Sequence, residues 1–119
     1  MPDEQMPFIE LAIEHWKLLR AFERSIAFAD ADSKPRLEAQ ARYSQGRLDA
    51  LLAKANLRAV SFDGREFEVN LPAIAINADE VADALGCVVE RTIEPAIVSP
   101  TGVAHTGRVY LITTPVREM

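Results

Sequence analysis

Residues 87–113 read CVVERTIEPAIVSPTGVAHTGRVYLIT, and the rest of the chain is organised around this segment. Both of its arms are rich in valine, isoleucine and threonine, whose branched side chains favour extended strands. Between the arms stands Ser99-Pro100-Thr101-Gly102, where proline sets the first corner of a turn and glycine accepts a positive φ. Two β-rich runs around such a turn predict a β-hairpin.

The residues before this hairpin predict two helices. Apolar side chains recur at three- and four-residue steps over 8–29, and a heptad pattern runs over 35–56. Only a short break separates the two patterns, and a short connection joins helices that pack antiparallel. We therefore expect a helical hairpin, whose bundle or dimer interface contains Ile9, Ile13, Trp16, Leu19, Phe22, Leu48 and Leu51.

The first helix carries a second apolar stripe that partly overlaps the first one. One apolar face is enough for packing against one neighbour, so two faces indicate two neighbours. The hypothesis that follows is a homodimer, joined through the helices in the manner of a coiled coil. The members of the second stripe are Phe8, Leu11, His15, Leu18 and Phe22.

The segment between the helices and the hairpin predicts two further elements. Residues 71–76, LPAIAI, predict a short strand. Asn77 and Glu80 have the spacing of a helix capping box, and Gly86 supplies a stop, so we expect a two-turn helix over 78–85.

The order of these elements predicts an α+β fold, with the helices segregated from the sheet. At 119 residues the chain is expected to be a single domain over 1–119. Within it, 8–57 form the helical hairpin, and 62–113 form a β wing that holds one short helix and the C-terminal β-hairpin.

The acidic charge of the chain lies in its second half. Residues 61–119 hold four arginines, no lysine and nine acidic residues, which accounts for the net charge of −5. Nucleic-acid binding requires a basic stripe that neutralises phosphates, so we expect no nucleic-acid partner. The charge fits a wing that meets a basic or mixed protein surface, and it also fits ordinary solubility.

No arrangement of residues predicts an active site. His15 lies on an apolar helical stripe, and a lone cysteine in a β-rich run, such as Cys87, is usually a small buried hydrophobe. Two distant histidines and one cysteine form no zinc set, and the five glycines are scattered rather than grouped in a phosphate loop. We therefore expect no enzyme, no metal and no cofactor.

Few features of the sequence bear on the cellular compartment of the protein. The N-terminus, MPDEQMP, lacks the basic-then-apolar order of a signal peptide, and no apolar run approaches the length of a membrane span. A single cysteine excludes an internal disulfide. A cytoplasmic protein without membrane contact is the expectation.

Three segments within roughly 44–112 resemble GrpE, the nucleotide-exchange factor of DnaK-type heat-shock chaperones. Residues 48–67 are similar to the family's last bundle helix and the link to its Gly-x-x-Phe-Asp-Pro motif, although Glu68 and Val69 replace Asp-Pro. Residues 86–90 look like the Gly-x-Val that opens the long strand of the family's wing. Residues 101–111 look like the turn and return strand of that wing.

The family's return strand, Val-Leu-Arg-Pro-Ala-x-Val-x-Val, can be placed in two ways. On 103–111 it puts His105 at the Arg and Gly107 at the Ala; on 91–98 it puts Glu94 at the Arg. The first placement is preferred, because the second leaves no strand before the motif. Neither placement retains the arginine of the family.

The resemblance implies a short, stalkless GrpE-like protein that binds the ATPase domain of a DnaK-type chaperone and promotes ADP release. The expected contacts are His105, Arg108, Tyr110 and Arg91 on the hairpin. Because side chains alternate along a strand, His105 and Arg108 share a surface only if a bulge near Gly107 shifts the register. The alternative is a non-enzymatic assembly adaptor that dimerises through its helices and presents the β wing to another protein.

Overall fold

A computed structural model of the chain describes residues 2–81 and 84–113, with side chains from Gln5 onward. The chain divides into two compact units, 1–58 and 59–119, which are described separately below. The first unit is helical and the second is β-rich, so the predicted α+β class is confirmed.

The first unit consists of helix α1, Pro2–Ile26, and helix α2, Lys34–Lys54. In the turn between them, the backbone N–H of Ser33 donates to Asp30 Oδ1 at 2.9 Å. Asn56 ends α2 with a positive φ of 59°, and the N–H of Leu57 donates to the carbonyl of Leu52 at 2.9 Å. This is a Schellman motif built on asparagine, which tolerates the left-handed conformation.

The two helices pack antiparallel. Leu19 and Ile26 of α1 form a buried cluster with Ala41 of α2. Arg20 stacks over the Trp16 ring at 4.9 Å, places Nε 2.9 Å from Glu23 Oε1, and donates through Nη2 to Gln45 of α2. The long arginine side chain therefore links the two helices through its hydrogen bond to Gln45.

Among its described residues, the second unit contains six strands in two three-stranded sheets. Their order is β1-β4-β5 in one sheet and β2-β6-β3 in the other. The predicted turn at 99–102 is confirmed, since it joins β4 to the antiparallel β5. The strands are β1 Arg58–Val60, β2 Ala73–Ala75, β3 Cys87–Glu94, β4 Ala96–Ser99, β5 Gly102–His105 and β6 Gly107–Thr113.

Each arm of the hairpin is divided between the two sheets. The first arm breaks at Pro95, which has no N–H for a strand ladder, and the second breaks at Thr106. At this crossing the arms approach closely: a Cβ on Gly107 would lie 2.9 Å from both the Ala96 nitrogen and the Glu94 carbonyl oxygen. Glycine at 107 therefore permits the crossing.

The segment predicted as a two-turn helix at 78–85 forms two short 3₁₀ helices instead, Ala78–Glu80 and Ala84–Gly86. Residues 82 and 83 lie outside the described part of the chain. The predicted capping role of Asn77 is wrong. Its buried side chain donates to the Leu111 carbonyl at 3.0 Å and accepts from the Leu111 N–H at 2.9 Å. The side-chain amide of Asn77 thus hydrogen-bonds to the backbone of β6 and does not cap a helix.

The core of this unit is a buried cluster formed by residues of sheet β2-β6-β3 and of the segment 62–67. Phe62 donates its N–H to Thr92 Oγ1 at 2.8 Å, and Thr92 donates its own N–H to Asp63 Oδ1 at 2.8 Å. Segment 62–67 also pairs with the outer edge of β3 through backbone hydrogen bonds of 2.8–2.9 Å. The buried residues of the cluster are Phe62, Leu71, Ala73, Cys87, Val89, Ala96, Val109 and Leu111.

Candidate protein-binding surface

The outer face of sheet β2-β6-β3, called here the wing face, carries most of the predicted contact residues. On the inner side, Val89 pairs with Leu111 and both are buried. Two register shifts in β3, one between Val89 and Arg91 and one between Thr92 and Glu94, each add a residue to that strand. Such bulges change which side chains point outward.

These bulges determine the composition of the wing face. They place Arg91 opposite Tyr110 and Glu94 opposite Arg108. An unbroken ladder continuing from the Val89–Leu111 pair would instead set Arg91 against the buried Val109. Two arginines, a tyrosine and a carboxylate are therefore brought to one exposed surface by irregularities in β3.

Glu94 connects His105 to this surface. Its Oε1 lies 3.2 Å from His105 Nε2 and 3.8 Å from Arg108 Nε, and its side chain is 20% exposed. The predicted conflict of register between His105 and Arg108 is resolved because they lie on different strands, β5 and β6, with Glu94 between them. Glu94 is not among the contacts expected from the sequence; its position directly before Pro95, where the first arm breaks, is the one local signal for it.

A shallow cavity of about 430 Å³ lies at the other end of this line of residues. It is lined by Asp63, Glu90, Arg91 and Tyr110. Within residues 2–81 and 84–113, no hydrogen bond or ion pair engages the side chains of Glu90, Arg91 or Tyr110. The cavity therefore offers two carboxylates, a guanidinium and a phenol to a partner that carries groups of both charges.

Apolar side chains flank the charged ones on the wing face. Ile74 of β2 pairs with Arg108 and is 57% exposed, and Ile112 of β6 pairs with Val88 and is 48% exposed. Protein interfaces combine apolar area with tyrosine and arginine, and these residue types dominate binding energy. The wing face has this composition.

The residues predicted for the bundle or dimer interface fall into two groups. Ile9, Ile13, Trp16, Leu19 and Leu48 are buried within the single chain. Phe22 is half-buried, and Leu51 is 40% exposed. Only the last two are accessible to a second molecule in this structure.

The remaining candidates for chemistry are dispersed. His15 is exposed on α1 and Cys87 is buried in β3. Among the described residues, no three histidine, cysteine, aspartate or glutamate side chains come together in a group that could hold a metal ion. In the same part of the chain, no helix combines the length and apolar character needed to cross a membrane.

Comparison with known protein families, curated proteins and solved structures finds no match to this chain.

Proposed function

We propose that the chain is a protein-binding module that uses the wing face to bind the ATPase domain of a DnaK-type chaperone and promote ADP release. The observation that carries the proposal is the cross-strand pairing of Arg91 with Tyr110 and of Glu94 with Arg108 on one exposed face. Strands fix the backbone of these residues, so only their side chains lose conformational freedom when a partner binds.

Exchange activity requires only differential binding. A ligand shifts an equilibrium between open and closed forms by the difference in its affinity for the two forms. A wing that binds the open form of the ATPase domain more tightly thus weakens ADP binding without any catalytic residue. The acidic character of residues 61–119 favours a basic or mixed partner surface. A DnaK-type partner implies a cytoplasmic location.

The test is release of labelled ADP from the DnaK-type chaperone of the same organism. Coupling free energies between two ligands are typically about 1–3 kcal/mol, so we expect a saturating amount of this protein to raise the dissociation constant of ADP at least about 5-fold. With an unchanged association rate, ADP release accelerates by the same factor. Tyr110→Ala combined with Arg108→Ala should abolish the effect. Val69→Ala, which alters an 84% exposed side chain in the turn before β2, should leave it unchanged.

The outcomes separate two functions. Acceleration that depends on Tyr110 and Arg108 supports exchange. Binding of the chaperone without acceleration contradicts exchange and supports the adaptor. No binding at all contradicts the chaperone as the partner.

A further inference from the structure

We propose that the free edge of strand β2, called here the β2 edge, binds an extended peptide with apolar residues at alternate positions and lysine or arginine at both ends. The peptide adds a strand to sheet β2-β6-β3 on the side of β2 that faces away from β6. This inference does not depend on the partner of the wing face, because it rests on backbone groups at the edge of the sheet.

Strand β2 directs the backbone groups of alternate residues toward its neighbour β6. The Pro72 carbonyl accepts the Gly107 N–H at 2.9 Å, and the Ile76 N–H donates to the Val109 carbonyl at 2.9 Å. Consecutive residues of a strand direct their N–H and carbonyl groups to opposite edges. The even-numbered residues of this segment therefore face β6, and the odd-numbered residues face away from it.

The outward backbone groups belong to Ala73 and Ala75. The N–H of Ala73 donates to the nearby carbonyl of Leu71 at 2.8 Å. Within residues 2–81 and 84–113, no hydrogen bond engages the N–H or the carbonyl of Ala75, and β6 is the only strand that pairs with β2. The β2 edge therefore offers a donor and an acceptor to an added strand.

The other edges of the two sheets are covered or interrupted. Segment 62–67 pairs with the outer edge of β3. In the other sheet, β5 has a register shift against β4, and β1 begins with the exposed Arg58. Bulges and charged residues keep edge strands from pairing with other chains, but β2 is uncharged and pairs with β6 in an unbroken register. Pro72 faces β6, so its missing N–H leaves the outward edge intact.

The side chains of the β2 edge are apolar. Ile74 and Ile76 are 57% and 47% exposed, and their spacing places both on the side of the wing face. On the opposite side, Ala73 is buried in the core cluster and Ala75 packs against it. Cross-strand neighbours on one face of a sheet contact each other, so alternate residues of an added strand meet the two isoleucines. The peptide therefore needs apolar residues at alternate positions.

Charge specifies the ends of the peptide. Residues 66–90 contain six acidic residues and no lysine or arginine. Glu68 precedes β2, Asp79 and Glu80 follow it, and the side chains of all three are exposed. Acidic groups at both ends of an apolar strand are complementary to basic groups at both ends of its partner.

The experiment uses a fluorescein-labelled peptide with the sequence Lys-Arg-Val-Thr-Val-Thr-Arg-Lys, which is titrated with the full chain and followed by fluorescence anisotropy. We expect saturable binding with a dissociation constant of roughly 10–100 µM, because β2 is only 3 residues long. A peptide with glutamate in place of each lysine and arginine should bind at least about 10-fold more weakly, because its charges repel those that flank β2.

Methylation of the peptide nitrogens tests strand addition itself. In an added strand, the amides of alternate residues point toward β2 and those between them point toward solvent. One peptide is therefore N-methylated at both valines and another at both threonines. We expect one of the two to bind at least about 10-fold more weakly, because it loses donors that face β2, and the other to bind like the unmodified peptide.

Substitution of Ala75 tests the site on the protein. Ala75→Pro removes the outward N–H and should weaken peptide binding at least about 10-fold. The variant should remain folded by circular dichroism, because no hydrogen bond within the described residues uses this N–H and edge strands tolerate proline. Ala75→Ser, the matched control, keeps the N–H and should bind the peptide as the wild-type protein does. If Ala75→Pro fails to fold, the methylated peptides test the same edge on the wild-type protein.

Several results would overturn the proposal. These are an absence of saturable binding up to about 500 µM protein, equal affinities of the two methylated peptides, and equal losses of binding in Ala75→Pro and Ala75→Ser. Tight binding of the glutamate peptide would contradict the basic ends of the ligand. A mass in light scattering that rises with concentration in the wild-type protein but not in Ala75→Pro would assign the β2 edge to a second copy of the chain instead of a peptide.

Discussion

Replacing Gly107 with alanine should destabilise the β-rich unit, because this residue sits where the two arms of the hairpin cross. The added Cβ would lie 2.9 Å from the Ala96 nitrogen, 2.9 Å from the Glu94 oxygen and 3.1 Å from the Pro95 carbonyl carbon. Ordinary contact begins near 3.4 Å, and all three neighbours are backbone atoms that cannot rotate away. The strands must therefore separate by about half an ångström at a buried position.

The expected cost follows from measurements on overpacked cores. Inserting one carbon into a packed site typically costs about 1–3 kcal/mol, and two of these contacts would be shorter than 3.0 Å. We therefore expect Gly107→Ala to lower the free energy of unfolding by about 2 kcal/mol. In urea this corresponds to a midpoint lower by about 1 M, for a slope of about 2 kcal/mol/M.

The assay is a urea titration followed by far-ultraviolet circular dichroism, with Gly46→Ala as the matched control. Gly46 lies in α2, and a Cβ there meets no heavy atom within 4 Å. The same chemical change at this site should raise stability by up to about 1 kcal/mol, because alanine favours helix. Equal midpoints for wild-type and Gly107→Ala proteins would refute the close crossing.

Three further substitutions test other parts of the fold. Asn77→Ala should lower the free energy of unfolding in urea by about 2–3 kcal/mol, because the backbone N–H and carbonyl of Leu111 both lose a hydrogen-bond partner in a buried site. A urea midpoint within error of the wild-type value would contradict this bridging role. Thr92→Val keeps the side-chain shape but removes the oxygen that accepts the Phe62 N–H, so hydrogen exchange at the Phe62 amide should accelerate by roughly 10-fold. An unchanged exchange rate would contradict the hydrogen bond between Phe62 and Thr92. Asn56→Val should lower the free energy of unfolding by about 1–2 kcal/mol, and with it the thermal midpoint, because a β-branched residue tolerates the positive φ poorly. Asn56→Gly, the control, should not lower the midpoint. An Asn56→Val protein as stable as wild type would contradict a left-handed residue at the end of α2.

The local elements of this fold could be predicted from sequence because their signals are local. The apolar periods of 8–29 and 35–56 indicate the two helices, whose observed bounds are Pro2–Ile26 and Lys34–Lys54. The turn chemistry of 99–102 indicates the tip of the hairpin. Each of these patterns depends on residues that are neighbours in the chain.

The division of the hairpin between two sheets could not be predicted in the same way. Proline at 95 signals a break in a strand, but the crossing depends on a second arm that passes Gly107 at close range, which only the tertiary structure shows. Strand β1, Arg58–Val60, is three residues long and pairs within the sheet of β4, which lies more than thirty residues away. Such pairing leaves almost no local pattern.

Asn77 shows why the predicted cap was wrong. An asparagine three residues before a glutamate fits a helix N-terminus, but the same side chain can satisfy a backbone amide and carbonyl elsewhere. Here it bridges both polar groups of Leu111, and residue 78 starts only a short 3₁₀ helix. The hydrogen bonds to Leu111, which is distant in sequence, therefore outweigh the local preference of Asn77 for a helix N-cap.

The candidate surface was predictable in its residue types but not in its arrangement. Arg91, Arg108 and Tyr110 are expected as contacts from the sequence because they lie on the hairpin that resembles the wing of GrpE. These side chains share one face only because of two bulges in β3. Glu94 contacts both His105 and Arg108 because it lies where the first arm of the hairpin breaks. The sequence carries no clear pattern for either bulge.

Nuclear magnetic resonance can map the surface of this chain that the chaperone binds. The isotope-labelled chain would be titrated with the ATPase domain of the DnaK-type chaperone, and shifts of the backbone amides would be followed. We expect the largest changes at Arg91, Arg108 and Tyr110, with none at Val69. Changes confined to α1 and α2, or no change at saturating ATPase domain, would contradict the assignment of the wing face as the binding surface.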